Sequence, residues 1–295
     1  MTGGTGQVGG AAIRTLAGLG EVVAPGRDRL NLANAESIRA VMREVQPRWV
    51  VNAAAHTAVD KAESEPELAF AMNAEAPRVL GEEAVKIGAA VIHFSTDYVF
   101  DGSGERPWVE TDPTGPLNVY GKSKLAGEQA LAATGAAYLI FRTSWVYGAS
   151  GKNFLLSIVR MAREREVLRI VADQHGAPTW SEDLARLAEH VIAKVEREAG
   201  DAARALSGVY HAGGSGETTW FGFASAVVEA LRMREPESKL ARVEPIATSE
   251  YPTPARRPAN SRLNCEKLGQ VLGWRMLDWR ESLAHVMSEL YPTAK

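Results

Sequence analysis

The stretch Gly3–Gly9 (GGTGQVG) carries glycine at positions 3, 6 and 9 and runs into an apolar segment that predicts a helix over residues 7–19. Glycines at this spacing let the backbone turn tightly and approach a pyrophosphate. The helix that follows offers free N–H groups and a partial positive charge to the phosphates. The stretch therefore predicts the phosphate-binding turn of a dinucleotide-binding fold, although a glycine-rich turn without a ligand has the same composition.

Short apolar runs alternate with helical patterns over the next 190 or so residues, as in a parallel sheet covered by helices on both faces. Strands are predicted at 49–54, 91–96, 138–145 and 167–173, with a weaker strand at 21–24. Helices are predicted at 35–45, 66–87 with an interruption near Pro77, 119–133, 153–165 and 182–198. We therefore predict an α/β fold with a Rossmann-type doubly wound parallel sheet.

The alternation weakens after about residue 200, which indicates a different C-terminal region. Predicted elements there are a strand at 209–212 and helices at 219–231, 266–272 and 279–290, with a proline-rich stretch between them. We predict a dinucleotide-binding domain over 1–150, on which 165–200 packs. A smaller lobe over 201–295 would mainly bind the substrate.

The position of the glycine stretch predicts a defect in the sheet. Such a loop follows the first strand, which normally lies in the middle of the sheet, yet only Met1 and Thr2 precede it. A missing central strand would leave two neighbours unpaired and a slot in the core. We expect a start codon placed several residues too late; the alternatives are a rearranged sheet and a truncated product that folds poorly.

The composition excludes several classes of protein. Of 295 residues, 45% are hydrophobic and 23% are charged, as in globular proteins, and the net charge of −3 argues against a nucleic-acid or anionic-membrane binder. No apolar run reaches the roughly 20 residues that span a bilayer, and no signal peptide is evident. The single cysteine, Cys265, fits a reducing compartment. We expect a cytoplasmic protein without nucleic-acid or membrane partners.

Tyr120 and Lys124 are four residues apart and so share one face of a predicted helix. A phenol with a pKa near 10 is a poor acid at neutral pH, and a nearby ammonium lowers that pKa. Thr96 ends a predicted strand, where ligands bind in open α/β sheets, and could hydrogen-bond a substrate carbonyl. A surface pair and a satisfied strand end explain each feature separately, but together with the glycine stretch they predict a reductase site.

Arg27 lies where the second strand should end, near the adenosine ribose. An acidic residue there would favour NADH, whereas a guanidinium can pair with a 2′-phosphate. Arg27 thus favours NADPH, and Asp28 keeps NADH open.

Six blocks of sequence resemble the dTDP-4-dehydrorhamnose reductase family of the extended short-chain dehydrogenase/reductase superfamily. These blocks are residues 52–63 (NAAAHTAVDKAE), 95–100 (STDYVF), 116–128 (PLNVYGKSKLAGE), 141–147 (FRTSWVY), 173–179 (DQHGAPT) and 251–263 (YPTPARRPANSRL). The resemblance implies that NADPH reduces the C4 ketone of dTDP-4-dehydro-L-rhamnose to dTDP-L-rhamnose. Alternatives are another nucleotide-sugar reductase or epimerase, and a non-catalytic regulatory subunit similar to that of methionine adenosyltransferase.

The resemblance, with the glycine stretch and Arg27, also assigns residues to the site. It implies Tyr120 as proton donor, with Lys124 and Thr96 completing a triad. The expected cofactor-binding residues are Gly3, Gly6, Gln7, Val8, Gly9, Arg27, Asn31, Leu32, Ala55, His56, Thr57, Tyr120 and Lys124. The expected substrate-binding residues are Thr96, Asp97, Trp145, Asn153, Gln174, Arg256 and Arg257. His56 and Trp145 also suit a core, and the two arginines also suit a solvated pair.

One departure from the family concerns magnesium. Some members dimerise through Mg²⁺ held by carboxylates, one of them a glutamate early in the first helix, where this chain has Ala11. Glu182 and Glu289 match other ligand positions, but Mg²⁺ needs several oxygen ligands. We predict no metal site and no metal-bridged dimer, although Mg²⁺ stays open as a cofactor, and we expect a monomer or weak homodimer.

Overall fold

The computed structural model describes residues 1–198 and 200–292. Its strands are β1 (Trp49–Asn52), β2 (Ala90–Thr96), β3 (Ala137–Thr143), β4 (Val146–Tyr147), β5 (Val167–Val171), β6 (His175–Gly176), β7 (Thr179–Trp180), β8 (Gly208–His211), β9 (Thr218–Thr219) and β10 (Arg242–Ile246). Its α-helices are α1 (Gln7–Leu16), α2 (Ala35–Val45), α3 (Val59–Ser64), α4 (Pro66–Phe70), α5 (Ala76–Ile87), α6 (Val119–Ala133), α7 (Phe154–Glu164), α8 (Ser181–Arg197), α9 (Ala202–Ala205), α10 (Trp220–Arg234) and α11 (Trp279–Leu290). In this part of the chain no helix is long and apolar enough to cross a bilayer.

The main sheet has four parallel strands in the order β1-β2-β3-β8. Successive residues of a strand face opposite sides of a sheet. Val50 and Val91 therefore join one core with α2, α5 and α6, whereas Val51 and Ile92 join another with α1 and α8. Helices thus cover both faces, which explains the nearly continuous apolar runs and confirms the predicted α/β class.

The place of the expected first strand, between residues 21–24 and β1, holds only Met1 and Thr2. The Thr2 amide donates to the Val51 carbonyl (3.0 Å), and Thr2 forms a parallel bridge with Asn52. On the opposite side, the Met1 amino group donates to the Val23 carbonyl (2.5 Å). A cavity of about 450 Å³ adjoins them, lined by side chains such as Val22, Met42, Trp49 and Ile192. The slot expected from the sequence is therefore present.

Two predicted strands differ most from the structure. Residues 21–24 form no strand, because their backbone borders this cavity where a neighbouring strand would have to supply the hydrogen bonds. The strand predicted at 167–173 ends at Val171, and it pairs with β10 in a separate two-stranded sheet. Its apolar character comes from a second core, formed with α7, α10 and α11.

The predicted helix 66–87 is interrupted, as expected, near Pro77. α4 ends at Phe70, a π-helical turn covers Ala71–Glu75, and α5 begins at Ala76 with Pro77 in its first turn. Proline is tolerated there because the first N–H groups of a helix have no partner within it. The buried Asn73 lies in the π turn, where its side chain holds the loop after β1.

The division at residue 201 stays a prediction. β8 lies beyond it and pairs with β3 of the main sheet, whereas most of the core around α10 and α11 contains residues from 147 onwards.

Candidate active site

The glycine stretch forms the turn into α1. Gly3 has φ +71°, and its carbonyl accepts a hydrogen bond from the Gly6 amide (2.8 Å). A Cβ on Gly9 would lie 2.0 Å from the Gly3 oxygen, so this close approach requires glycine. Gly6 caps α1 and no described side chain caps the helix there, which leaves its first N–H groups available to an anion. Val8 packs below against the core.

The residues expected near the adenosine differ in exposure. Arg27 is exposed and makes no ion pair with any residue that the structure describes, so its guanidinium is available to an anion. Asn31 is also exposed; its side chain accepts from the Ala33 amide (3.0 Å) and shapes the turn before α2. Leu32 is buried in the core beneath this turn.

The loop after β1 carries Ala55, His56 and Thr57. The His56 backbone is held at both its N–H and its carbonyl by the Asn73 side chain, at 2.7 and 3.0 Å. The imidazole is buried, with Nε2 3.2 Å from Glu65, and its Nδ1 has no described partner. The fixed backbone indicates that His56 shapes this loop mainly through its main chain.

α6 places Tyr120 and Lys124 beside the end of β2. Asn118 caps the helix by accepting from the Gly121 amide (2.8 Å), and its Nδ2 donates to the Arg256 carbonyl (2.8 Å). A Cβ on Gly121 would lie 2.2 Å from the Tyr98 oxygen. Glycine at this position lets the first turn of α6 approach the 3₁₀ turn Asp97–Val99, which follows β2. The structure therefore brings Thr96, Tyr120 and Lys124 together.

Burial is the largest influence on the pKa values of Tyr120 and Asp97. Burial raises the pKa of Tyr120 to about 12, while a hydrogen bond with Thr96 lowers it. Burial also raises the pKa of Asp97 to about 7, and the neighbouring hydroxyl groups of Ser261 and Thr96 oppose that shift. Thr96 Oγ1 donates to Asp97 Oδ1 (3.1 Å), whereas Asp97 Oδ2 is buried without a described partner. The site therefore presents a protonated phenol and an unsatisfied carboxyl oxygen.

Lys124 is 1% exposed. Its Nζ donates to the Phe94 carbonyl (2.6 Å) and lies 3.2 Å from His93 Nε2. Burial lowers the pKa of Lys124 to about 8, and the negative charge of Glu128 opposes that shift. Lys124 is thus an ammonium at neutral pH, held by the backbone of β2.

Several buried polar residues of this region were not predicted from the sequence. Glu128 and Arg142 form a buried ion pair (2.7 Å), and Ser95 also donates to Glu128. His93 and Asn52 lie buried next to Lys124. The available signal was a polar residue inside an otherwise apolar strand, since buried polar groups require partners.

Trp145 lies just after β3, where the predicted strand 138–145 has already ended. It has φ +49°, an uncommon value for a residue with a Cβ. Its ring stacks on Trp220 with centroids 3.8 Å apart and planes at 17°. A Cβ on Gly176 would lie 2.9 Å from the indole. Contacts with Trp220 and Gly176 therefore hold the ring, which is half-buried and not part of a closed core.

The remaining predicted substrate residues have defined partners. Asn153 caps α7, and its Nδ2 lies 3.0 Å from Gln7 Oε1, which links it to the glycine stretch. Gln174 is buried and donates to Thr248 Oγ1 (3.1 Å). The Arg257 guanidinium binds both oxygens of Asp60, at 3.0 and 2.8 Å.

Arg256, by contrast, is exposed and makes no ion pair with a described residue. Only one member of the predicted arginine pair therefore has an unengaged guanidinium.

The three residues at the magnesium-ligand positions, Ala11, Glu182 and Glu289, have separate surroundings. Ala11 is buried in the core, and Glu182 pairs with Arg14 (2.8 Å). Glu289 is exposed on α11. Within residues 1–198 and 200–292, no group of three or more histidine, cysteine or acidic side chains is placed to hold a metal ion. The absence of a magnesium bridge stays a prediction.

Comparison with known proteins places this geometry in a family. The family model described as RmlD substrate binding domain matches residues 1–291. The chain belongs to that RmlD family. It is 47% identical to a dTDP-4-dehydrorhamnose reductase of Burkholderia thailandensis over 292 residues, with 98% of each chain covered.

Solved structures agree with this membership. A dTDP-4-dehydrorhamnose reductase of Clostridium acetobutylicum has a TM-score of 0.88 at 35% identity and 98% coverage of both chains. The enzyme of the same name from Bacillus anthracis, solved in complex with NADP, has a TM-score of 0.87 at 32% identity, covering 98% of this chain and 97% of that one. The family resemblance and the expected oxidoreductase class are therefore confirmed, while the individual site residues stay predictions.

Proposed function

We propose that the protein reduces the C4 ketone of dTDP-4-dehydro-L-rhamnose with NADPH, forming dTDP-L-rhamnose. The observation that carries the proposal is the placement of Thr96, Tyr120 and Lys124 together at the carboxyl end of β2, in a member of the RmlD family. Ligands of open α/β sheets bind at this edge.

In the proposed reaction Tyr120 is the acid. Its pKa of about 12 keeps the phenol protonated at neutral pH, so it can give its proton to the carbonyl oxygen as that oxygen gains negative charge. Thr96 would turn its hydroxyl from Asp97 Oδ1 to donate to the same oxygen, and the Lys124 ammonium would stabilise the phenolate that forms. NADPH supplies the hydride that completes the reduction of the C4 carbon.

The chain fits such a dinucleotide. The uncapped first turn of α1 and the close contact of Gly9 with Gly3 suit a pyrophosphate. Arg27, exposed and without a described ion-pair partner, would bind the 2′-phosphate and so favour NADPH over NADH. Asn31, Leu32 and the Ala55–Thr57 loop would frame the adenosine.

For the nucleotide sugar we propose contacts from both sides of the site. Asp97, with a buried and unpartnered Oδ2, would accept a hydrogen bond from a sugar hydroxyl. The clamped face of Trp145 would pack on the sugar ring, and Arg256 would meet the pyrophosphate of the substrate. Arg257 is satisfied by Asp60, so we assign it the secondary role of holding this loop. Asn153 and Gln174 would position neighbouring backbone.

One assay tests the proposal directly. Purified protein is mixed with NADPH and dTDP-4-dehydro-L-rhamnose, and the absorbance of reduced nicotinamide is followed. Tyr120→Phe should lose turnover by at least a hundredfold, within the usual contribution of a general acid, and keep its affinity for NADPH. Tyr138→Phe is the matched control, because Tyr138 lies on β3 near its opposite end. Equal turnover of Tyr120→Phe and wild type would refute the assignment.

The same assay separates the alternatives. A related reductase or epimerase would be inactive on this sugar but would turn over another nucleotide sugar, and that activity would also depend on Tyr120. A regulatory subunit would turn over neither and would still bind a dinucleotide. We place the reaction in the cytoplasm as a monomer or weak homodimer, which sedimentation would test.

A further inference from the structure

His93 interrupts the apolar run of β2 and is 1% exposed. Each ring nitrogen of a buried imidazole usually has a polar neighbour. His93 Nδ1 lies 2.9 Å from Asn52 Nδ2, and Nε2 lies 3.2 Å from Lys124 Nζ. The ring therefore connects β1 to the lysine of the proposed active site.

In the structure the amide nitrogen of Asn52 faces the imidazole, and its amide oxygen faces Thr2. The Thr2 hydroxyl accepts from the Ala54 amide (3.0 Å). It donates to Asn52 Oδ1 (2.7 Å). The amide oxygen is thereby engaged, and Asn52 turns its NH₂ group toward His93.

The tautomer of His93 follows from this orientation. An NH₂ group can only donate, so Nδ1 must offer its lone pair and the hydrogen of the neutral imidazole must lie on Nε2. Burial lowers the pKa of His93 well below its usual value, and the charge of Lys124 lowers it further. The ring therefore stays neutral, and its Nε2–H points at Lys124 Nζ.

We propose that the chain Thr2–Asn52–His93 is a positioning device for Lys124, which fixes the imidazole hydrogen on Nε2 and directs it at the lysine nitrogen. An N–H facing an ammonium is repelled, whereas the same N–H donates to the lone pair of an amine. His93 thus favours the amine form, and Lys124 releases its proton more readily than burial alone would allow.

Three other groups face Lys124 from the elements packed around it. Glu128, on the same helix, favours the ammonium, although its carboxylate is shared with Arg142 of β3. The Phe94 carbonyl of β2 accepts from Nζ, and Tyr120 on α6 contributes a neutral phenol. His93 is the described group that opposes these by pointing a hydrogen at Nζ, so its removal should raise the pKa of Lys124.

The first experiment reads the tautomer in the protein without cofactor. Nitrogen-15 NMR of labelled histidine should show a neutral His93 with hydrogen on Nε2 between pH 6 and 9. Asn52→Asp replaces the NH₂ donor by an acceptor at the same place and should move the hydrogen to Nδ1. A wild-type ring with hydrogen on Nδ1, or a tautomer that Asn52→Asp leaves unchanged, would overturn the proposal.

The second experiment measures the lysine. The side-chain carbon shift of Lys124 is followed against pH in wild type, His93→Leu and His93→Gln. We expect the titration midpoint to rise by about one unit, or tenfold in proton affinity, in His93→Leu. It should stay at the wild-type value in His93→Gln, whose amide can accept from Asn52 and donate to Lys124. Equal midpoints in His93→Leu and wild type would contradict the proposal.

The consequence for catalysis rests on the proposed function. The alkaline limit of reductase activity should move upward with the Lys124 midpoint in His93→Leu, whereas a purely structural loss would lower turnover without moving that limit. If wild type reduces no sugar nucleotide, the proposed function fails while the two NMR experiments still decide the role of His93. If wild type is active but the tautomer is wrong, only this inference fails.

Discussion

The buried pair between Glu128 and Arg142 provides the sharpest test of how the site is held. Both side chains are at most 5% exposed, and three guanidinium–carboxylate contacts of 3.0, 3.2 and 2.7 Å join them. Ser95, next to Thr96, donates to the same carboxylate. The pair therefore ties α6, which carries Tyr120 and Lys124, to β2 and β3.

Replacing Glu128 with glutamine keeps the shape but leaves the Arg142 charge buried without a counter-ion. Breaking a buried pair in this way costs about 3–5 kcal/mol. Unfolding entropy is about 2.1 cal/mol/K per residue, so a chain of 295 residues should lose about 5–8 °C in melting temperature. The pKa of Lys124 should also fall, because the Glu128 carboxylate favours its ammonium.

Calorimetry of Glu128→Gln measures this loss. Glu36→Gln is the control, since Glu36 pairs with Arg39 on an exposed surface of α2 and such pairs contribute little. A double variant, Glu128→Leu with Arg142→Met, should recover much of the stability, because well-packed apolar residues can replace a buried pair. Equal melting temperatures for Glu128→Gln and Glu36→Gln would refute the reasoning.

Three further predictions follow from single features. Lys124→Met should abolish turnover yet raise the free energy of unfolding at pH 7 by up to about 3 kcal/mol, because burial lowers the pKa of Lys124 from 10.5 to about 8. The folded state binds the proton less well, so this gain should shrink as pH rises from 8 to 10.5; a gain that grows over this range would contradict it. Arg27→Ala should raise the KM for NADPH about tenfold and leave the KM for NADH unchanged. Arg29→Ala is the control, because Arg29 pairs with Glu44. Equal effects of Arg27→Ala on both cofactors would count against a 2′-phosphate contact. Joining a short apolar segment to the Met1 amino group should raise the melting temperature, because it would fill the 450 Å³ cavity beside β1; a polar segment of equal length should not.

The features that were predictable from the sequence are those encoded locally. The glycine spacing predicts the close approach of Gly9 to Gly3, and the spacing of Tyr120 and Lys124 places both on α6. Asn34, a residue type that favours helix starts, caps α2. The slot was also predictable, because a glycine turn requires a strand before it. Each of these follows from a short stretch and a rule of backbone geometry.

What could not be predicted depends on partners far apart in the chain. The apolar sequence of Val167–Val171 is typical of a strand in the main sheet, but its actual partner, β10, lies more than 70 residues later in the chain. The bond from Arg257 to Asp60 spans 197 positions, so nothing near Arg257 distinguishes it from the free Arg256. The Asn52–His93–Lys124 contacts likewise join two strands and a helix, which only the folded sheet brings together.

The buried lysine explains why the region around it is so heavily hydrogen-bonded. An ammonium that is 1% exposed loses its hydration, and this loss lowers the pKa of Lys124 to about 8 despite the negative charge of Glu128. A pKa much lower would leave an amine at neutral pH, unable to stabilise the phenolate proposed for Tyr120. A pKa much higher would require a second carboxylate nearby, which would raise the pKa of Tyr120 still further. In our proposal the Phe94 carbonyl, the shared charge of Glu128 and the imidazole of His93 together hold the pKa of Lys124 between these limits. The fold would then accept a destabilising residue because the proposed reaction requires its charge.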